Sequence, residues 1–400
     1  MNKKYDICIV GNGAVGKAAA LGLAQAGQDV ALLVPKNAGQ SSSQAALTNW
    51  DVRVYALNQV AHDLLEAIKV WDALDSSRVA AVEAMKVEGD ADEQAGKLSF
   101  DAYSARVGAL AWIVEDSNLN QALDAALKFA SKIQIVPATA TQLSVFPDHA
   151  QITLDNGDHI QASLIIGADG GQSWVRGQCD IDLSYRSYAQ RGVVANFHCE
   201  QPHHGVAHQW FTQDQGIIAL LPLPQQQVSL VWSAPEALAA ALLEEPADNL
   251  ARRLAHWAEP VLGALKPLQP EVVKAFPLSL IRPHAMTAPR VALVGDAAHV
   301  VHPLAGQGMN LGFADVMALL EAIKEREPHR DCGDARVLGR YARARKEEVL
   351  LMQMATDGLL RLFGTGLPPV RMARNLGMNL VDKLPGLKRR LMAHAFGKNA

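Results

Sequence analysis

Three glycines near the N-terminus constrain this 400-residue chain more than any other feature. Residues 5–10, YDICIV, form a short apolar run of the kind that makes a buried parallel strand. They pass directly into Gly11-Asn12-Gly13-Ala14-Val15-Gly16. The stretch AAALGLAQAG then reads as a helix closed by Gly27, and DVALLV (29–34) as the next strand. A strand, a glycine turn, a helix and a second strand within about thirty residues open a doubly wound α/β sheet. Each glycine has its own reason there. Gly11 permits the tight turn, Gly13 lets backbone approach a pyrophosphate, and Gly16 lets helix and strand pack closely. The helix N-terminus, at Ala14 and Val15, attracts the phosphates.

The usual partner of such a turn is an Asp or Glu ending the second strand, which accepts a hydrogen bond from the adenosine ribose. That position is Val34, followed by Pro35 and Lys36. Lys36 and the loop backbone are the candidates to replace it.

Two later stretches share one design. LIIGADGGQSWVR (164–176) and VALVGDAAHVVHPLAGQGMNLGFADV (291–316) each run a buried strand into an acidic residue, Asp169 or Asp296, and then a glycine-rich loop. This puts carboxylates and backbone amides at the carboxyl end of the sheet, where doubly wound folds bind ligands. Elsewhere, residues 58–74 and 117–131 read as helices, the latter with Ser117 as N-cap. Asn156-Gly157 marks a hairpin turn, and a helix starts near Gly308. Residues 190–235 are strand-rich, 236–266 mostly helical, and the chain from about 335 is helical again.

The expected fold is therefore α/β: a doubly wound, Rossmann-like domain with an inserted β-rich domain and a helical C-terminal tail. The boundaries read as 1–75, 105–180 and 284–335 for the discontinuous nucleotide domain. Residues 76–104 and 181–283 form the second domain, and 336–400 the helical C-terminal region.

Composition narrows the class. With 49% hydrophobic and 20% charged residues, the chain is neither disordered, collagen-like nor a disulfide scaffold. A net charge of −4 gives no footprint for nucleic acid. The four cysteines are widely spaced, which suits a reducing, cytoplasmic setting. No apolar run is long enough to span a membrane. Lys3 and Lys4 before an apolar run imitate a signal peptide, but the glycine motif gives that run another meaning. Charge is uneven: residues 361–400 hold eight Lys/Arg against Asp382, a net +7, and the first 360 carry −11.

Together GNGAVG, DVRVYAL, GADGGQSWVR and GDAAHVVHPLAGQGMNLGFADV resemble the group A flavin-dependent aromatic hydroxylases, and within them the ubiquinone-biosynthesis ring hydroxylases. The resemblance extends to the ending LPPVRMARNLGMNLVDKLPGLKRRLMAHAFG. It implies FAD as cofactor, NAD(P)H as electron donor, O2 as co-substrate, and hydroxylation of a polyprenylated phenol or benzoquinol through a flavin hydroperoxide. Gly11, Gly13 and Gly16 would hold the pyrophosphate, with Ala14 and Val15 at the helix start. Arg53 would lie near flavin and pyrophosphate, Asp169 would support FAD, and Asp296 would bond the ribityl chain. Pro303 and the run Gly306, Gln307, Gly308, Met309 and Asn310 would line the isoalloxazine. Asn118 and Asn120 stand where the family often has Arg and Gln, leaving Asn120 as the cofactor contact from that helix. No second GxGxxG exists, so a nicotinamide donor would bind transiently. No catalytic general base is assigned.

Several residues have competing readings. Trp210, Phe211 and Trp232 could wall a prenylated substrate, but core packing is preferred. His299 and His302 (HxxH) and the His203, His204 and His208 group lack companions for a metal site. His299 reads as a loop anchor ahead of a proton-moving role. Arg186 and Arg191 read as surface residues. The basic tail 361–400 is either a solvated face or a contact surface for an anionic membrane, at the inner membrane, or for a biosynthetic complex. Two alternatives to the ring hydroxylase stay open: a hydroxylase of a small soluble phenol, and a non-catalytic scaffold whose flavin site Val34 has weakened.

Overall fold

The computed structural model describes residues 2–35, 50–89, 96–365, 367–382 and 384, so Lys36 lies outside the described residues. The chain opens with β1 (Asn2–Val10), α1 (Ala14–Gln25) and β2 (Val30–Val34). Then come β3 (Val54–Leu57), α2 (Gln59–Ala67), β4 (Val79–Val82), β5 (Ala84–Glu88), β6 (Lys97–Asp101) and α3 (Ala102–Ala105). β7 (Ala111–Glu115) and α4 (Asp116–Lys128) precede β8 (Ile133–Pro137), β9 (Ala140–Val145), β10 (Ala150–Leu154), β11 (His159–Gly167) and α5 (Trp174–Gln178). The middle holds β12 (Leu183–Cys199), β13 (Val206–Thr212), β14 (Gly216–Leu223), β15 (Gln227–Pro235), α6 (Glu236–Glu244) and α7 (Ala247–Leu262). β16 (Leu265–Pro267), β17 (Lys274–Pro283), β18 (Thr287–Ala288) and β19 (Val291–Leu293) lead to α8 (Gln307–Lys324), α9 (Ala335–Gly364) and α10 (Pro368–Asp382).

The first sheet runs β18-β19-β11-β1-β2-β8, parallel from β19 to β8. Both faces are buried, so its strands are apolar throughout and alternate between two cores. Ile7, Ile9, Leu32 and Ile166 pack against α1, α4 and α8. Cys8, Ala31, Leu33 and Ile165 face the other way, where the β9–β10 hairpin and Val175 of α5 cover them. This is the expected doubly wound α/β layer, with a β-hairpin and a short helix on its second face. The four cysteines are unpaired.

The second sheet runs β16-β12-β15-β14-β13-β5-β6, with β17 on β12. Its period-two alternation separates core from site. Trp210, Ile218, Leu220, Leu230 and Trp232 pack with α6 and α7 through Leu242, Leu250 and Leu254. The intervening residues point back toward the first sheet. A small sheet, β3-β7-β4, lies among these elements. α9 is tied down by Tyr341, whose hydroxyl donates to the Leu293 carbonyl at 2.6 Å.

Local expectations differ at two helices. The 58–74 segment is helical only over Gln59–Ala67. It breaks where Lys69 adopts φ 62°, and a single 3-10 turn at Trp71–Ala73 follows. Ser117 is not the N-cap of α4: the helix begins at Asp116, and the Ser117 amide donates to Asp51 Oδ2 at 3.2 Å. The capping carboxylate comes from a distant segment, which local spacing cannot reveal. Among the described residues, no helix is long and apolar enough to cross a membrane.

Candidate active site

A cavity of about 570 Å³ opens where the carboxyl ends of β1 and β19 meet the concave side of the second sheet. Its nucleotide-side wall begins at the glycine turn. Gly11 sits at φ +117°, and a Cβ there would fall 2.2 Å from the Ala168 carbonyl; one on Gly16 would fall 2.2 Å from the Gly11 carbonyl. Protein packing alone explains both, and they lie behind the cavity wall. Gly13 differs: it lines the cavity, and a Cβ on it would meet nothing within 4 Å. Its missing side chain leaves room for something other than protein.

Two helices aim their N-termini at this space. α1 starts after Gly13 and α8 after Gly306, neither with a side-chain cap and neither with an acidic residue in its first turn. Their first N–H groups therefore lack the acceptor that a Ser, Asp or Asn cap supplies. Gly306 adopts φ +66°, and Gly308 faces open space like Gly13. A dinucleotide fits this donor set, with anionic phosphates at α1 and an electron-rich ring edge at α8.

The remaining candidates fall into place around this cradle. Arg53, Asn120, Asp296, Pro303, Gln307 and Met309 line the cavity. Arg53 stacks over the Tyr55 ring at 5.5 Å and makes no ion pair among the described residues, while Asp116 and Asp296 lie within electrostatic reach. Burial pushes the Asp296 carboxyl above its usual range, against the opposing pull of His299 and Arg53. The Asn310 side chain is spent on protein: it accepts from the Asn58 amide at 3.0 Å and donates to the Ala56 carbonyl at 2.9 Å. It fastens α8 to β3, and its backbone lines the cavity.

Asp169 does not line the cavity. Its carboxylate accepts from the Ser173 hydroxyl and, at 3.0 Å, from the Val175 amide, so it caps α5. Arg176 is buried and donates to the carbonyls of Ala297 and Gly171 at 2.9 and 2.7 Å, locking the two acidic loops together. Val34 ends β2 as expected.

His299 has a partner that local sequence did not reveal. Its Nε2 lies 2.7 Å from Asp315 Oδ2, and Asp315 also accepts from the Gly295 amide and from Arg345. His299 thus anchors the Gly295-Asp296 turn. His302, its neighbour in the HxxH spacing, pairs separately with Gln190 at 3.1 Å. His203 bonds the Leu223 carbonyl and the Gly205 amide, fixing its own turn. Arg186 pairs with Asp357 of α9.

Sequence reasoning missed a polar chain beside the cradle. The Tyr55 hydroxyl donates to Asp116 at 2.7 Å, Asn120 donates to the same oxygen at 2.8 Å, and Lys17 joins Asn120 at 3.0 Å and Asp124 at 2.6 Å. Asn120 is thereby held in place at the cavity wall. A lysine within an otherwise apolar helix was the available signal for it, as a lone aspartate among apolar residues was for Asp315.

The opposite wall belongs to the second sheet. Trp210 and Trp232 do not form it, since both point into the α6–α7 core; Phe211 packs on Phe363 of α9. The wall is built by their neighbours of opposite phase, Ala207, Ala219, Leu221 and Val231, together with Gln209 and Ser233. Gln209 and Ser233 are each only 5% exposed, and neither side chain makes a hydrogen bond among the described residues. The cavity therefore joins two helix N-termini to an apolar pocket carrying few polar groups.

Comparison with known proteins agrees with this geometry. Residues 4–354 match the family described as the FAD binding domain. The chain is 34% identical over 400 residues to the 3-demethoxyubiquinol 3-hydroxylase of Escherichia coli K12, covering 99% of each chain. It is 33% identical to ubiquinone hydroxylase UbiL of Rhodospirillum rubrum, covering 99% of this chain and 90% of that one. Among solved structures it shares the fold of PqsL, a probable FAD-dependent monooxygenase from Pseudomonas aeruginosa. That match has a TM-score of 0.75 at 21% identity over 94% of this chain and all of that one.

Proposed function

The chain belongs to the FAD-binding-domain family of its ubiquinone-hydroxylase relatives, and from that premise we propose that it hydroxylates the ring of a polyprenylated phenol or benzoquinol in ubiquinone biosynthesis. It is an FAD-dependent aromatic-ring monooxygenase that consumes O2. The observation that carries this reading is the single cavity shared by two uncapped helix N-termini and an apolar sheet wall.

The chemistry FAD supplies when bound is activation of O2 for transfer of one oxygen atom to an electron-rich ring. The protein's share is binding, orientation and exclusion of water. Gly13, Ala14 and Val15 offer amides to the pyrophosphate, with Gly11 and Gly16 shaping the turn that presents them. Arg53 and Asn120 would hold the middle of the cofactor. Asp296 would accept from its ribityl hydroxyls, and Pro303 with the backbone of residues 306–310 would line the flavin ring. Asp169 acts through its cap on α5, at the turn beside Gly170. Lys36 remains the candidate for the ribose. Ala219, Leu221 and Val231 keep water from the reacting ring. NAD(P)H is the proposed electron donor; in support, the chain carries one GxGxxG, which suits a donor that docks only transiently.

The domain division proposed with this function keeps residues 1–75, 105–180 and 284–335 for the cofactor and 76–104 with 181–283 for the substrate. Residues 336–400 form the C-terminal region of this division, and within it residues 361–400 make peripheral contact with an anionic membrane or a biosynthetic complex. Supporting the contact, α10 exposes Met372, Leu376 and Leu380 at four-residue spacing, in a segment with net charge +7. Flotation with anionic vesicles at low salt tests it, and full-length protein that stays unbound would refute the membrane contact. For the reaction, purified protein should be yellow with a flavin spectrum. Deletion of the gene should accumulate a quinone precursor lacking one ring hydroxyl, read by mass spectrometry. Colourless protein that FAD cannot reconstitute would overturn the enzyme reading.

A further inference from the structure

A second apolar hollow lies beside the active-site cavity, and one layer of side chains separates them. The groove, about 630 Å³, runs between α9, α10 and β6, and is lined by Leu98, Leu359, Phe363, Ala373, Gly377 and Met378 among others. Among the described residues that line it, Arg374 is the only one with a charged or hydrogen-bonding side chain, and that guanidinium sits 4.6 Å over the Phe363 ring. Such a surface offers hydrocarbon contact and almost nothing to a polar ligand.

The partition is a buried cluster of Val87, Phe211, Ile217, Leu304 and Phe363. Ile217 and Leu304 face the ring cavity, whereas Phe363 faces the groove. Phe211 and Phe363 stack with centroids 3.8 Å apart, closing the wall between them. At the far side the groove meets the exposed leucines and methionines of α9 and α10.

We infer that this groove binds the isoprenoid tail of the substrate, which reaches it from the ring cavity past Phe363. The inference rests on the prenylated-substrate reading above and adds a site to it. Adjacency to the ring cavity singles out this occupant: Ile217 of β14 lines the cavity and packs in the same buried cluster as Phe363, so a tail on a ring held at β14 points at the Phe211–Phe363 wall. Its hydrocarbon also matches a lining without hydrogen-bond demand.

Gly377 lines the groove and a Cβ on it would meet nothing within 4 Å, so a side chain there can start into the groove without a backbone clash. In a helix it also replaces glycine by a better helix former. Gly377→Phe should raise KM for a long-tailed phenol about tenfold, the effect of excluding about two methylenes from apolar contact. A tail-less analogue should change less than about twofold, and Gly377→Ala should leave both unchanged. Independently, a ring phenol carrying a photoreactive diazirine at the end of a farnesyl tail should label Ala373, Met378 or Leu98 in wild-type protein. Gly377→Phe should abolish that labelling.

Equal effects of Gly377→Phe on both compounds would overturn the inference. Labelling confined to the cavity mouth near Phe276, or to residues 385–400, would do so too. Failure of wild-type protein to hydroxylate either compound would sink the reading of the reaction instead. Labelling needs no turnover and still decides the groove.

Discussion

His299 and Asp315 form a fully buried pair, Nε2 to Oδ2 at 2.7 Å, with Arg345 on the other carboxylate oxygen at the same distance. Burial alone would push the Asp315 carboxyl up, but His299 and Arg345 hold it below the usual range. The Gly295 amide completes the set, so one carboxylate of α8 fixes the turn that presents Asp296. Asp315→Ala takes the buried carboxylate from Arg345, which keeps Glu348 and the Leu311 carbonyl, and from His299 and the Gly295 amide, and should cost about 3 kcal/mol by urea unfolding. Flavin content should fall with it, because the Asp296 turn loses its anchor. Retention of both would show the pair to be dispensable.

Gly13 and Gly16 should respond oppositely to substitution. Gly16→Ala drives a Cβ into the Gly11 carbonyl, which backbone cannot yield, and should destabilise by about 3 kcal/mol or more. Gly13→Val meets open space and should fold, yet purify without flavin. Absorbance and thermal melting separate the two effects.

Arg53 carries charge into the cavity with no ion pair among the described residues, so its loss removes little structural support. Arg53→Met should leave the melting temperature nearly unchanged while lowering FAD affinity about tenfold or more, measured by flavin fluorescence. A large stability loss with unaltered FAD binding would assign it a structural role.

The second sheet predicts a two-phase pattern along one strand. Trp210→Ala empties the α6–α7 core and should cost about 3–5 kcal/mol. Gln209→Leu, one residue earlier, should keep stability and change KM or product hydroxylation. Matching stability losses at both positions would contradict the alternation.

Two histidines set an acid limit. Burial lowers His302 to about 4 and, with help from Lys86, His208 to about 4, both from 6.5. Above pH 6.5 they are neutral folded or unfolded and cost nothing. As pH falls below 6.5 the unfolded chain takes up protons first, so stability drops until about pH 4 and then levels. Each contributes up to about 3 kcal/mol to that loss. His208→Phe, which keeps a ring against Trp210, should flatten the urea midpoint between pH 6.5 and 4. An unchanged slope would remove His208 from the account.

Much of the site was legible because it depends on local backbone. GNGAVG, GAD and GDAAH are strand-to-helix turns, and their glycines and acids fix where amides point within a few residues. Alternation in β1, β2 and β11 likewise follows from burial on both faces. The partners that stabilise these turns were not legible. Asp51 serving α4, Asp315 serving His299 and Asn310 serving Asn58 join segments distant in sequence. The tryptophans show the same limit from another side. Their composition suited either a substrate wall or a core, and only the phase of β13 and β15 against α6 and α7 chose the core.

By itself, then, the sequence determined the glycine turn, the three stretches that build the doubly wound sheet and the family. Each is encoded in short runs whose backbone conformations glycine and periodicity constrain. Tertiary structure alone decided which side chains face the cavity, which acids are consumed as caps, and that a wall one side chain thick separates the ring pocket from the α9–α10 groove. Those are consequences of packing between distant segments, where the direction of a side chain depends on what another part of the chain places against it.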